Sequence, residues 1–301
     1  MAEKQFRGVY AIPVTPFDQH LDLDEASLRR CIDFCLVGGA HGICVPVNAS
    51  EFYTLGDDER KRITEITVEQ VNSRIPVVIG TTGISTRHAV ELSRHANDVG
   101  ADAIIAMPPY VRKAPPAEIF DYYCALSDAV DIPIFIQDYI GPIGTPMSVD
   151  LIVRMLTELE KVDYLKEEVP PAGQLMTAVM KKAGSYLKGV MGGAAGRYLL
   201  DEYRRGACGT MPACEVVDLH VQLWNLLESG DEKGAREFYR LLLPLLNIES
   251  LYSFTVYREV LRRRGIIDSS TTRAPGAGVL DEYDHKELDA ILADLQPYFR
   301  L

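Results

Sequence analysis

The stretch VDYLKEE, residues 162–168, is an apolar run that ends in one lysine and two acids. Side chains alternate between the two faces of a β-strand, so this run presents two sets of residues. One face carries Val162, Tyr164, Lys166 and Glu168, and the other carries Asp163, Leu165 and Glu167. Leu165 suits a face that helices cover, so we expect Lys166 and Glu168 to point inward.

Outward from this run, short β-rich segments alternate with longer segments of helical spacing. The predicted strands are Gly8–Val14, Gly42–Val47, Pro76–Ile79, Ala103–Ala106, Pro133–Gln137, Val162–Lys166, Tyr186–Val190 and Ala207–Met211. Helix starts are indicated by Asp24, Asp57, Ser85 and Ser148, and helix ends by Gly38–Gly39 and Gly100. Eight such units predict an α/β fold, the (β/α)8 TIM barrel. An open doubly wound sheet shows the same alternation, but neither GxGxxG nor GxxxxGK[ST] follows the first strand.

The chain carries no convincing linker, so we expect a single domain in two stretches. Residues 1–211 would hold the barrel strands and their helices. Residues 212–301 would hold the last barrel helix and a C-terminal helical extension, because VVDLHVQLWNLLE and AREFYRLLLPLLN have helical spacing. A final helix is predicted over His285–Phe299.

Composition excludes several classes of function. The formal net charge of -12 argues against nucleic-acid binding, which requires a basic face. No apolar run approaches the roughly 18 residues that span a bilayer, and no signal peptide is evident. The six cysteines form no CxxC pair, and the six histidines form no spaced set. We therefore expect a cytoplasmic protein that binds neither membrane nor nucleic acid and uses no metal or other cofactor.

Lys166 is the first candidate for chemistry. An inward lysine near the carboxyl end of a barrel strand lies where barrel active sites are built. Burial of an unpaired ammonium is costly, whereas a neutral amine is a nucleophile toward a carbonyl. The alternative is an internal ion pair with Glu167 or Glu168. The residues of this run leave both interpretations open.

The ordered segments VTPF, SEFYTLGDDER, RIPVVIG, GADAIIAMPPY, DIPIFIQ and YLKEE are distributed over nearly the whole chain. Their order and spacing resemble the dihydrodipicolinate synthase / N-acetylneuraminate lyase family of Schiff-base aldolases and dehydratases. The resemblance implies a (β/α)8 barrel and a homotetramer built as a dimer of dimers. It also implies that Lys166 condenses with pyruvate or a related 2-oxo acid.

Departures from the family pattern narrow the range of reactions that the resemblance implies. The loop that usually reads G-T/S-T-G-E and holds the substrate carboxylate here reads Asn48-Ala49-Ser50-Glu51. The two relay tyrosines are replaced by Gln137 and Val111, and the synthase arginine by Pro142. Synthase activity is therefore not expected. Asn48 and Ser50 can still donate hydrogen bonds, although simple turn chemistry would also explain them.

One branch of the family, the L-2-keto-3-deoxyarabonate dehydratases, carries NxSE, MPPY and VQD stretches and a glutamate two residues beyond the lysine. In this chain the similar residues are 48–51, 107–110, 136–138 and Glu168. The resemblance implies dehydration of a 2-keto-3-deoxy sugar acid. The predicted catalytic residues are Lys166, Glu168 as acid/base, and Gln137 as an orienting donor. The predicted substrate-binding residues are Asn48, Ala49, Ser50, Tyr110, Tyr139, Gly192 and Gly193. A pyruvate-releasing aldolase and a non-catalytic 2-oxo-acid-binding protein stay open as alternatives.

Overall fold

Short buried strands form the centre of the fold in the computed structural model, which describes residues 6–301. The strands are β1 (Gly8–Ala11), β2 (Gly42–Val45), β3 (Val77–Gly80), β4 (Ala103–Ala106), β5 (Ile134–Asp138), β6 (Val162–Glu167), β7 (Gly189–Gly192) and β8 (Gly209–Thr210). They form a closed barrel of parallel strands in chain order. The predicted TIM barrel is therefore confirmed.

Helices alternate with the strands and continue past the last one. They are α1 (Glu25–Val37), α2 (Asp57–Val71), α3 (Thr86–Val99), α4 (Pro116–Ser127), α5 (Val149–Glu158), α6 (Ala172–Ala183), α7 (Leu199–Arg204), α8 (Val217–Glu228), α9 (Glu232–Tyr252), α10 (Phe254–Arg263) and α11 (Glu282–Leu295). Helices α9 to α11 form the predicted C-terminal extension. No helix of the described residues 6–301 is long and apolar enough to cross a membrane.

Capping explains where several helices begin and end. The side chains of Asp24, Ser85 and Ser148 each accept a backbone N–H of the first helical turn, as predicted. Asp57 is the first residue of α2 and not its cap, because Gly56 occupies the cap position and its N–H donates to the Glu59 carboxylate at 2.9 Å.

Several predicted boundaries are wrong. Strands β1 and β2 end at Ala11 and Val45, before the predicted Val14 and Val47, and β8 spans only Gly209–Thr210 of the predicted Ala207–Met211, because only these two residues pair with β7. The seventh strand does not begin at Tyr186, because Gly184–Tyr186 forms a 3-10 turn and pairing with β6 starts at Gly189. The last helix begins three residues before His285, because Asp281 accepts the N–H groups of Tyr283 and Asp284. It ends at Leu295, where a 3-10 turn with Pro297 at its start replaces the α-helix.

The backbone divides into two compact units, each with its own apolar packing. The first comprises residues 6–7, 76–194 and 198–210 of the described chain. In it Phe135 and Tyr164 stack with ring centroids 4.5 Å apart, and Phe6 packs edge-on against both. The second comprises residues 8–75, 195–197 and 211–301, where α8 packs against β1 and α9 packs against α8 and α11.

Candidate active site

The carboxyl ends of β5, β6 and β7 place the central residues of the site. Lys166 is paired with Gln137 on β5 and with Met191 on β7. Paired residues of neighbouring parallel strands point to the same side of a sheet, so these three side chains share one side. Lys166 and Gln137 are buried, with 2% and 1% of their surface exposed. The barrel therefore holds an amine and a carboxamide side by side at the strand ends.

Glu168 completes this group. Its Oε2 lies 3.3 Å from Lys166 Nζ and accepts a hydrogen bond from Gln137 Nε2 at 2.6 Å. Its Oε1 accepts the backbone N–H of Ala194 at 3.3 Å. The Lys166 and Glu168 side chains are 3% and 10% exposed, so water screens their interaction little. The internal ion pair expected as an alternative is thus present, and it places a carboxyl within reach of the amine.

Gly192, the last residue of β7, and Gly193 leave room for two carboxyl groups. A Cβ on Gly193 would overlap the Glu168 carboxyl, and a Cβ on Gly192 would overlap the carboxyl of Glu202 on α7. The two consecutive glycines therefore lie between two carboxyl groups. Their predicted contact with the far end of a substrate stays a prediction.

Three further carboxyls are buried at these strand ends, and of these the sequence indicates only Asp138, which follows the apolar run of β5, as a residue that could reach the pocket. Burial raises the pKa of Asp138 to about 7, of Glu167 to about 9 and of Glu202 to about 8. Asp138 also accepts the N–H of Met147 at 2.9 Å, which holds the loop after β5. Alternation assigns Glu167 to the helix-facing set of β6, but alternation alone does not show that its carboxyl is removed from water.

Tyr139 and Tyr110 are half-buried in the loops after β5 and β4. The Tyr139 ring lies against Gly141, and burial followed by the nearby Glu168 carboxylate raises the pKa of its hydroxyl. Tyr139 is thus within electrostatic range of Glu168. The substrate-binding role of Tyr110 stays a prediction.

The residues predicted to hold a carboxylate lie in the second unit. Asn48–Ser50 forms a 3-10 turn that closely follows β2. The Ser50 hydroxyl is buried and donates to the Pro13 carbonyl at 2.7 Å, and the Ser50 carbonyl accepts from Thr15 Oγ1 at 2.7 Å. The serine therefore fixes the turn, and the expected donation from its hydroxyl to a carboxylate is not available while this bond is made.

No three His, Cys, Asp or Glu side chains within residues 6–301 are arranged to hold a metal ion. The six cysteines are free thiols, and Cys31 and Cys35 are buried. Lysine, carboxyl and carboxamide groups in one buried cluster are suited to amine nucleophilic catalysis and proton transfer.

Comparison with known proteins assigns the chain to a family. The sequence profile of the Dihydrodipicolinate synthetase family matches residues 5–295. The chain belongs to this family. It is 33% identical over 273 residues to the L-2-keto-3-deoxyarabonate dehydratase of Azospirillum brasilense, with 89% of this chain and 88% of that protein covered. It is 32% identical over 241 residues to the 4-hydroxy-tetrahydrodipicolinate synthase of Syntrophobacter fumaroxidans, with 80% and 81% covered.

Solved structures of the Dihydrodipicolinate synthetase family have the same fold. The dihydrodipicolinate synthase of Rhodopseudomonas palustris superposes with a TM-score of 0.88 at 26% identity, over 96% of this chain and 98% of that one. The chain is an enzyme of the lyase class, as its family membership predicts. Family membership leaves the substrate open, since relatives of similar identity carry dehydratase and synthase names.

Proposed function

We propose that the protein dehydrates a 2-keto-3-deoxy sugar acid of the pentonate type through a Schiff base on Lys166. The observation that carries the proposal is the buried cluster in which Glu168 lies 3.3 Å from Lys166 and 2.6 Å from Gln137. The cluster supplies an amine for the oxo carbon and a carboxyl for proton transfer at the next carbon. Similarity to a protein named L-2-keto-3-deoxyarabonate dehydratase supports the substrate class.

The first steps use the contact between Lys166 and Glu168. Glu168 accepts a proton from the ammonium, which leaves the amine free to attack C2 of the 2-oxo acid. Glu168 returns this proton to the hydroxyl of the carbinolamine adduct, which leaves as water to form an iminium, and Glu168 is again a carboxylate. Glu168 then removes a proton from C3, and the electron pair of that C–H bond forms an enamine.

Elimination follows from the enamine. The C4–O bond breaks, and the departing hydroxyl takes a proton from Glu168 and leaves as water. Transfer of a proton from C5 to C3 moves the new double bond to C4–C5, and the resulting enol tautomerises to the aldehyde. Hydrolysis of the iminium consumes one water and restores Lys166, so the substrate loses one water overall and becomes a semialdehyde. Gln137 holds the Glu168 carboxyl in place and can donate to a substrate hydroxyl, but a carboxamide does not shuttle protons as a tyrosine does.

The remaining predicted residues take part as binding groups in this proposal. The turn Asn48–Ser50 would hold the substrate carboxylate, as the resemblance implies, with Ala49 and Asn48 as the contact residues and Ser50 as their support. Tyr139, Tyr110, Gly192 and Gly193 would surround the hydroxylated end of the substrate. A cytoplasmic homotetramer is part of the same proposal, and the six free thiols suit a reducing compartment.

Aldol cleavage is the alternative that shares the enamine stage, because breaking C3–C4 instead of C4–O releases pyruvate. Incubation of the protein with 2-keto-3-deoxypentonate, with separate assays for a semialdehyde and for pyruvate, distinguishes the two. We expect a semialdehyde as the main product. Pyruvate as the sole product would establish an aldolase, and no turnover with retained 2-oxo-acid binding would establish a binding protein.

A further inference from the structure

We propose that Glu51 and Arg258 form a buried clamp that positions the Asn48–Ser50 turn for the substrate carboxylate. Through this clamp, helix α10 would set the selectivity of the enzyme for anionic over neutral 2-oxo compounds. Both are positioning residues, since they act on the substrate through the turn. The inference rests on the proposed function, because it takes the turn to be the carboxylate site.

Glu51 directly follows the turn and has a conformation that its neighbours must maintain. Its φ is +56°, in the left-handed region that non-glycine residues rarely adopt. Its side chain is completely buried. The turn is closed by its N–H, which donates to the Asn48 carbonyl at 2.9 Å. A shift of the Glu51 backbone would therefore move Asn48 and Ala49 with it.

Arg258 on α10 holds the Glu51 carboxylate from one side. The guanidinium is 0% exposed, its Nε donates to Glu51 Oε1 at 2.8 Å, and its Nη2 contacts the same oxygen. Nη2 also donates to the Thr15 carbonyl at 2.5 Å. Thr15 in turn donates from its hydroxyl to the Ser50 carbonyl. Arg258 thus reaches the turn by two routes, through Glu51 and through Thr15.

The second Glu51 oxygen is held by the connector before α11. Oε2 accepts Thr272 Oγ1 at 2.6 Å, the Ala274 N–H at 2.9 Å and the Arg273 N–H at 3.1 Å. All three donors come from residues 272–274. The carboxylate joins the turn after β2, the helix α10 and this connector in one network.

A role in positioning the turn explains why the protein has a buried ion pair that costs stability. Burial of two charges is expensive, and apolar residues of similar volume usually stabilise a fold at least as well. Well-ordered charged networks instead fix a single geometry, and a displacement of about 1 Å at a binding group can cost a large factor in rate. A turn that binds a small anion needs its binding groups held in a single geometry.

The test measures borohydride trapping of Lys166 against the concentration of pyruvate and of neutral pyruvamide. In Glu51→Gln and Arg258→Lys we expect the pyruvate concentration for half-maximal trapping to rise about 10-fold. The corresponding pyruvamide concentration should change less than about 2-fold. Lysine lacks the fork that lets Arg258 serve Glu51 and Thr15 together. Thr272→Val removes one donor to Oε2 and serves as a milder variant. It should raise the pyruvate concentration for half-maximal trapping by a smaller factor.

Arg264→Lys is the matched control. Arg264 immediately follows α10 and pairs through two hydrogen bonds of 2.9 Å with the buried Asp218 of α8, whose carboxylate also accepts the N–H of Arg300. We expect this variant to lower thermal stability and leave both trapping curves unchanged. Equal shifts for pyruvate and pyruvamide, or no shift in folded Glu51 and Arg258 variants, would overturn the clamp. Failure of the unaltered protein to trap either compound would instead refute the proposed function.

Discussion

At the scale of single residues, the proposed chemistry depends on one carboxyl next to one amine. Glu168 contacts Lys166 and Gln137 through the same oxygen, so the carboxylate that balances the ammonium is also placed for proton transfer. The two interpretations that the sequence left open, nucleophile and ion-pair partner, are therefore compatible. In the proposed mechanism, the carboxyl that pairs with the ammonium in the ligand-free enzyme serves as acid and base once the amine is consumed in an iminium.

Replacement of Glu168 by glutamine separates these two roles. Glu168→Gln keeps the shape of the side chain but removes proton transfer, so kcat should fall by about 10²- to 10⁴-fold. Borohydride trapping of pyruvate should persist at a lower rate, because solvent base must then accept the ammonium proton in place of Glu168. Steady-state kinetics with 2-keto-3-deoxypentonate measures the effect, and Glu160→Gln, at a residue whose side chain is 83% exposed, is the control. A Glu168→Gln enzyme with unchanged kcat would assign the acid/base role elsewhere.

Gly193 provides a steric test of the same position. In Gly193→Ala the new Cβ overlaps the Glu168 carboxyl, which must move away from Lys166 and Gln137. We expect a loss of at least about 10-fold in kcat, with the fold retained. Gly56→Ala is the matched control, because its Cβ would meet Glu59 at an ordinary 3.7 Å. Equal activity of the two variants would contradict the steric role assigned to Gly193.

At the scale of elements, two groups of side chains lie at the ends of β5, β6 and β7. One group contains the Lys166–Glu168 ion pair, and the other consists of buried carboxyls. The Lys166 side holds the reactive cluster, whereas Asp138, Glu167 and Glu202 are buried carboxyls whose pKa values lie well above those of exposed acids. Desolvation is the first cause for each, and it favours the protonated form. Protonation of these acids therefore contributes to the stability of the strand ends.

Stability should therefore depend on pH in a defined direction. The folded state binds protons that the unfolded chain has already released, so the free energy of unfolding falls as pH rises. The window runs from about pH 5, above the ordinary carboxyl range, through the pKa values of about 7, 8 and 9 in the folded protein. Thermal unfolding at pH 5, 7 and 9 measures this loss.

Glu202→Gln tests how much of the pH dependence of stability comes from the Glu202 carboxyl. An uncharged amide does not titrate, so the loss of stability between pH 7 and 9 should become smaller than in the unaltered protein. Glu160→Gln, at an exposed site, should leave the pH dependence unchanged. A protein equally stable at pH 5 and pH 9 would contradict the assignment of neutral acids at the strand ends.

At the scale of the whole molecule, periodicity was enough to predict the barrel. Eight alternating strand and helix segments and the caps Asp24, Ser85 and Ser148 are local features, and the structure confirms them. The start of β7 was missed because Tyr186 has the side chain of a strand residue, while the backbone around Gly184 turns. Such boundaries depend on tertiary pairing, which local propensity does not contain.

The site was predictable only in part for the same reason. Strand alternation predicts that Lys166 and Glu168, two residues apart, share one face, and the structure places them in contact. Glu51 and Arg258 are separated by 207 residues, and nothing in the local sequence of either indicates a partner. The same holds for Glu202, whose burial against Gly192 depends on how α7 packs. Contacts between distant segments need the folded structure.

A Schiff base between Lys166 and a 2-oxo acid is the centre of the proposed chemistry. Its most direct test is borohydride reduction of the folded protein in the presence of pyruvate, followed by peptide mass spectrometry. We expect one covalent adduct, located on Lys166, and none in Lys166→Arg. Folded protein that gains no adduct, or gains it on another lysine, would contradict the proposed chemistry.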